Sequence, residues 1–469
     1  MNDPKIIAYL RRMLLFLVVL LTFEGMLRKM NILGTNVLIF FLKDVVILLM
    51  GIQVTRLKRS PPIDFIWGAY VTAILFFVPT IIMTAFHDPV LAIFGTRSYL
   101  LYPIAGITLF VAYENAPLEE IINFYRRLAL LIIPTTFIAV YELYLPTTHW
   151  LNQAIGGGDE EAFSAGGHLR VSSTFSFVAQ FCAFLNAEMF ILLTALYRVT
   201  DLKFFWKWTY LMLIPCLVVS CYVTGSRSAV VGNMTVIVIA SILSLLKFEA
   251  RNALRMVMLI GSILLIILIA QYYFPDLFAA YSARESGKLV GVSNEIQNRI
   301  LNSLFGWLNT VFSTPFFGSG IGMMSNGSDQ ISRYAASYRS RGIWTETDFA
   351  TTLFEGGIYL IFVWYSFRYY IIAQTLKRFL SGTRGELAGA AAFSVAFVIT
   401  TGVTGTLGIQ PPIAIWWWLS IGTSALLWWK SMEASKGGNE NPLSPTSSPR
   451  VEKKIRGRSA YAERLHGRK

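Results

Sequence analysis

Apolar runs of about 20 residues, the length that carries a helix across a hydrocarbon core, recur from the N-terminus to about residue 430. Such a pattern leaves few folds open. Only 14% of residues are charged and 55% are hydrophobic, against the roughly one quarter charged residues of a soluble domain. The expected class is an all-α integral membrane protein, a polytopic bundle of about 12 transmembrane helices. The expected spans are 9–27, 34–52, 64–86, 98–113, 128–146, 175–197, 206–224, 229–247, 254–274, 350–374, 387–409 and 412–430. The first lacks a small-residue cleavage site and is followed at once by further spans, so it reads as an uncleaved anchor.

Orientation follows from the basic residues. Short loops alternate between basic and nearly uncharged, and the basic set includes Lys5, Arg11 and Arg12, then Arg56, Lys58 and Arg59, then Arg126 and Arg127. These loops belong on the cytoplasmic side, which with an even span count puts both termini there. Residues 1–430 form the membrane domain; 431–469 are a Ser/Pro/Gly-rich and then basic tail, read as disordered near anionic lipid. The net charge of +13 is topology signal and tail, so no nucleic acid is needed to explain it. Cys182, Cys216 and Cys221 fall in apolar spans without ligand-like spacing and read as small buried hydrophobes.

Two outer segments exceed minimum loop length. One is residues 146–174; the other, 275–348, precedes the third-from-last span and is the size of a functional loop. Within it, Ile296, Ile300, Leu304, Leu308 and Phe312 repeat every fourth residue and predict an amphipathic helix with Trp307 at the interface. Pro315-Phe-Phe-Gly-Ser-Gly-Ile-Gly-Met323 follows. Its glycines do not come after a strand in a βαβ unit, so they do not indicate nucleotide.

Arg227 stands in the break Tyr222-Val-Thr-Gly-Ser-Arg-Ser-Ala-Val-Val-Gly232 between two spans. An arginine where a helix leaves lipid is either a snorkelling end residue or a functional cation. Its planar fork of donors suits phosphate or carboxylate oxygens. The outer face also collects Arg170, Arg284, Lys288, Arg299, Arg333, Arg339 and Arg341, and Arg97 stands at another outer helix start. Among the acids, Glu346 and Asp348 sit where the long loop returns to the membrane and Glu355 lies about two turns deeper. Each of the first two is a general base or a first-turn acid favoured by the helix dipole. Glu355 is expected to pair inside the bundle, and the adjacent Lys43 and Asp44 either pair across helices or carry function. His168, two residues before Arg170, is a further acid/base candidate. No metal-ligand spacing is present, so neither a metal nor another cofactor is expected.

With these residues in view, residues 30–430 resemble the O-antigen ligase and polysaccharide polymerase superfamily of bacterial inner membranes. Arg170-Val-Ser-Ser-Thr-Phe-Ser-Phe-Val-Ala-Gln180 is similar to its arginine segment before a span. Thr224-Gly-Ser-Arg-Ser-Ala229 is similar to its Ser-Arg signature. Phe317-Gly-Ser-Gly-Ile-Gly322, with Glu346 and then Phe354-Glu-Gly-Gly357, resembles its glycine and His-Asn…Glu-x-Gly pattern. Glu346 and Thr347 stand where ligases of that family carry histidine and asparagine, which favours the polymerase branch.

The resemblance implies a glycosyltransferase that acts at the periplasmic face on undecaprenyl-diphosphate-linked glycans. Membrane lipid and other polysaccharide assembly proteins are the expected partners. Arg227 and Glu346 take catalytic roles: charge stabilisation at the leaving diphosphate and deprotonation of the acceptor hydroxyl. Arg170, Arg299, Arg97, Asp348 and His168 complete the expected substrate-binding set. The competing reading is a polytopic transporter of an anion such as bicarbonate, or of a lipid-linked glycan.

Overall fold

The computed structural model describes residues 3–31, 34–57, 61–153, 155, 164–165, 168–197, 199–247, 261, 263, 265–278, 305–342, 347–383 and 387–437. The chain divides into residues 1–431 and 432–469. In the first part the elements in chain order are α1 (Pro4–Met30), α2 (Asn36–Thr55), α3 (Asp64–His87), α4 (Pro89–Leu100), α5 (Pro103–Tyr113), α6 (Leu118–Ala129) and α7 (Ile132–Leu143). A two-residue antiparallel pair follows, β1 (Ser164–Ala165) with β2 (His168–Leu169). Then come α8 (Val178–Ala195), α9 (Phe204–Val223), α10 (Arg227–Leu246), α11 (Ser328–Ile331), α12 (Arg333–Arg339), α13 (Asp348–Gly382), α14 (Leu387–Thr404) and α15 (Pro411–Gly437).

The helical class agrees with the sequence reading. Among the described residues, 8 helices are long and apolar enough to cross a membrane, or 9 if the bent pair α4–α5 is one span. These residues do not by themselves give the expected count of about twelve. The expected span 254–274 lies largely outside the described residues. The runs 350–374 and 412–430 are helical as parts of α13 and α15, which are not among the eight. The run 98–113 is not one straight helix: α4 and α5 meet at 42°, because Pro103 brings no N–H and starts a new helix after Leu101 and Tyr102.

Helix ends follow local chemistry. Asp3 caps α1 by accepting from the Lys5 N–H at 2.8 Å, with Pro4 next in line. Asp88 caps α4 in the same way, accepting from Val90 and Leu91 at 2.9 and 3.1 Å ahead of Pro89. Laterally, α1 packs on α2 and α5, α3 on α4 and α13, α7 on α9, and α8 on α6, α9, α10 and α14. The main core is one continuous cluster that runs from Leu10 in α1 to Leu427 in α15.

Several charges inside this apolar body are paired, which offsets their desolvation. Lys43 Nζ meets Glu24 Oε1 at 3.0 Å, and Asp44 accepts from Arg97 at 2.7 Å and from the Tyr102 hydroxyl at 3.0 Å. The Lys43–Asp44 dipeptide thus ties α2 to α1 on one side and to α4 on the other.

Candidate functional site

The segment after Arg170 enters α8 as a buried loop rather than a surface turn. Ser172, Ser173 and Thr174 are fully buried. Buried backbone needs partners, and the last turn of α7 supplies them. Glu142 accepts from the Ser172 N–H at 3.0 Å and from the Ser173 N–H at 2.6 Å, one carboxylate oxygen to each. Lys29 of α1 donates to Ser172 Oγ and to the Leu151 carbonyl, both at 2.6 Å. The Met26 N–H reaches the Thr174 carbonyl at 2.7 Å. Gly25 makes that approach possible, since a Cβ there would lie 2.0 Å from the Phe175 backbone. Arg170, half-buried, stands at the head of this clamped segment.

Arg227 is the first residue of α10 and is half-buried. The turn before it is built by Gly225 at φ +58° and by Thr224 Oγ1, which accepts from the Ser226 N–H at 3.0 Å. A cation at a helix start opposes the helix dipole, so Arg227 does not serve the helix. Both the side chain and the first-turn amides favour an anion there. Gly232 faces Asn186 of α8, and because short connections join α8 to α10 through α9, which packs on α8, α10 starts at the same end of the bundle as α8 and its Arg170 segment.

The third component is a joint in α13. The helix is interrupted at Gly356 (φ −131°, ψ 15°) and Gly357 (φ 64°, ψ −164°), and the 315–322 loop is set into the gap. The Ser319 and Gly320 amides donate to the Phe354 and Glu355 carbonyls at 2.8 and 2.9 Å, while the Tyr359 amide reaches the Phe316 carbonyl at 3.3 Å. A Cβ on Gly357 would stand 2.1 Å from that same Phe316 carbonyl. Gly318, Gly320 and Gly322 all have positive φ. The glycines of this motif therefore serve close backbone contact. Glu355, fully buried, fixes the loop from below: it accepts from the Met324 N–H at 2.8 Å and from the Tyr99 hydroxyl at 2.7 Å. Thr84 Oγ1 accepts from the Ile321 N–H at 2.9 Å. Glu355 is thus held inside the bundle by neutral hydrogen-bond donors, with no cation paired to it among the described residues.

Two expected substrate-binding residues are engaged elsewhere. Asp348 is buried against α13 itself, where Arg368 donates to it and the Tyr365 hydroxyl reaches it at 2.8 Å. Arg368 also donates to the carbonyls of Gly402 at 2.7 Å and Gly405 at 3.1 Å, which ties the start of α13 to the end of α14. Asp348 is thus held in a buried ion pair through one of its two carboxylate oxygens. Arg97 is bound to Asp44 and is likewise a bundle residue in the first instance. His168 lies in β2, and its side chain is outside the described residues. Arg299 and Glu346 are also outside them; Thr347, which follows Glu346, caps α13 by accepting from the Ala350 N–H at 3.4 Å.

Most of the amphipathic helix expected over 296–312, residues 296–304, lies outside the described residues, and its end, residues 306–312, is not α-helical. From residue 306 the chain makes two short 3₁₀ turns, Gly306–Asn309 and Val311–Ser313, and Phe312 is exposed. Glycine and asparagine are weak helix formers, and the Thr310 and Ser313 hydroxyls bond back to the Trp307 and Thr310 carbonyls. Trp307 instead stacks on Phe349 at 6.0 Å, covering the start of α13.

Sequence reasoning passed over Arg368, Glu142 and Glu188. Each is an ionisable residue within an apolar run, and that alone marks it for attention in a membrane protein. Beside the joint, α3 and α13 also enclose an apolar groove with a volume of about 730 Å³, lined by Gly68, Thr72, Phe76, Phe316, Tyr359 and Phe362 among others. Phe76 and Phe362 are more than half exposed, so the groove opens laterally, on the side where lipid would lie. No protein-family model matches the chain, and no curated protein matches its sequence.

Proposed function

We propose that this protein is a membrane glycosyltransferase. It transfers a glycan from undecaprenyl diphosphate to an acceptor hydroxyl at the periplasmic face of a bacterial inner membrane, as a polymerase of exopolysaccharide or O-antigen units. The observation that carries the reading is Arg227 at the first position of α10, where side chain and helix start favour the same anion. Arg170 leads the rigid segment at the same end of the bundle, and Arg299 is the third candidate cation. The groove between α3 and α13 fits the polyprenyl chain of such a donor, and its upper lining residues Phe316 and Tyr359 belong to the α13 joint.

In this reading Glu346, just before the cap of α13, takes the proton of the acceptor hydroxyl. The freed oxygen forms a bond to the anomeric carbon. The bond from that carbon to the diphosphate oxygen breaks, and its electron pair leaves with the diphosphate. Arg227 and Arg170 stabilise the charge that builds there, without a divalent metal. One direct displacement inverts the anomeric configuration.

Arg227→Lys is expected to abolish most polymer formation from lipid-linked substrate while the protein inserts normally, because an ammonium does not reproduce a bidentate fork. Near-wild-type turnover in that variant removes Arg227 from the site. The orientation has its own test. A reporter after Lys430 is expected to read cytoplasmic and one near Asn326 periplasmic; both on one side would overturn the catalytic face.

A transporter is the second reading, favoured by Glu188 in α8. That side chain is fully buried and neither carboxylate oxygen has a hydrogen-bond partner among the described residues. Proteoliposomes separate the two readings: solute or lipid-linked glycan translocation without longer glycan product would favour transport.

A further inference from the structure

Three cations converge on one ring. The Arg28 guanidinium carbon lies 4.7 Å, Lys43 Nζ 4.0 Å and the Arg97 guanidinium carbon 5.0 Å from the centre of Phe40. They come from the last turn of α1, the third turn of α2 and the last turn of α4. Only two acids, Glu24 and Asp44, pair with them, so the cluster carries one surplus positive charge among the described residues. Lys43 is fully buried and committed to Glu24 and to the Phe40 carbonyl.

The two arginines are not fully used. Among the described residues Arg97 hydrogen-bonds through Nη1 alone, to Asp44 at 2.7 Å. Arg28 also bonds through Nη1 alone among the described residues, to Glu24 at 3.5 Å and to Ser176 at 3.4 Å, both long for such bonds. The Nε atoms of both are buried and without a hydrogen-bond partner among the described residues, and the Arg97 side chain is only 10% exposed. In each guanidinium the unused atoms are Nε and Nη2. These form the edge that takes two oxygens of a phosphate or carboxylate in parallel. Aromatic faces offset part of the charge but supply no oxygen acceptor. Glu24 Oε2 is unpartnered too, an acceptor for a hydroxyl carried beside the anion.

From this cluster we infer a second anion-binding site, formed by Arg28 and Arg97 around Phe40, whose ligand is a phosphate ester. Two sources present that chemistry at a membrane surface: the headgroup of an anionic phospholipid and the diphosphate of a prenyl-linked molecule. The site does not depend on glycan transfer, so it stands or falls by binding alone.

The test uses the full-length protein in detergent micelles with three probes: dioctanoyl phosphatidylglycerol, farnesyl diphosphate, and dioctanoylglycerol as the lipid without phosphate. Arg97→Lys keeps the charge opposite Asp44 but removes the fork, and Arg28→Gln loses two long hydrogen bonds, the distant Glu24 pair and the Phe40 ring contact while Glu24 keeps Lys43, so both variants are expected to fold. At least one phosphate probe is expected to bind the wild type, and to bind each variant roughly tenfold or more weakly. Dioctanoylglycerol is expected to distinguish neither variant from wild type. Phosphatidylglycerol that farnesyl diphosphate cannot displace assigns the site to a lipid headgroup; displacement assigns it to a prenyl diphosphate. Equal affinity in wild type and both variants, or no preference for phosphate over dioctanoylglycerol, overturns the proposal.

Discussion

Arg368→Ala is expected to lower the stability of the folded protein by about 3–5 kcal/mol, the cost of removing one partner of a buried ion pair. Arg368 has no exposed surface, and its guanidinium holds Asp348 and the carbonyls of Gly402 and Gly405 together. Alanine leaves a buried carboxylate without its cation and two carbonyls without a charged donor. Removing both charges in the double variant Arg368→Met with Asp348→Asn should recover much of the loss, because no uncompensated ion then remains. Thermal unfolding followed by the fraction of monodisperse protein measures both changes. A single variant as stable as wild type would show that the pair contributes nothing to the bundle.

Glu346→Gln is expected to reduce turnover by roughly a hundredfold or more with donor binding largely kept, since the amide retains the shape and loses the basicity. Glu346→His should return part of the activity, because imidazole also accepts a proton at neutral pH. Asp348→Asn gives the contrast. It disturbs the Arg368 pair, so it should lower the amount of folded protein while turnover per folded molecule stays close to wild type. Equal losses of turnover from Glu346→Gln and Asp348→Asn would point to charge at the start of α13 in general and remove the base assignment.

The helical class and the inward placement of Glu355 were legible because apolar run length and the cost of a lone intramembrane charge are local rules. The partners of Arg97 and Asp348 were not legible, for the opposite reason. Their partners, Asp44 and Arg368, are 53 and 20 residues away, and a helix pattern read from one chain does not say which faces meet. Residues 306–313 misled through periodicity, since apolar spacing was right for a helix while Gly306, Thr310 and Ser313 favoured tighter turns. The loop over residues 315–322 showed its glycines plainly in sequence, yet their use as a backbone fit to α13 required Gly357 to be placed opposite Phe316.

The break in α13 has a consequence for how the chain is assembled. The Phe354 and Glu355 carbonyls take their partners from Ser319 and Gly320, residues synthesised earlier, rather than from the next turn of their own helix. At membrane depth a carbonyl left without a donor costs several kcal/mol. The upper turns of α13 therefore cannot settle in lipid as an independent span. They are completed only when residues 315–322 are seated against them, so this stretch of helix and the earlier loop form as one unit.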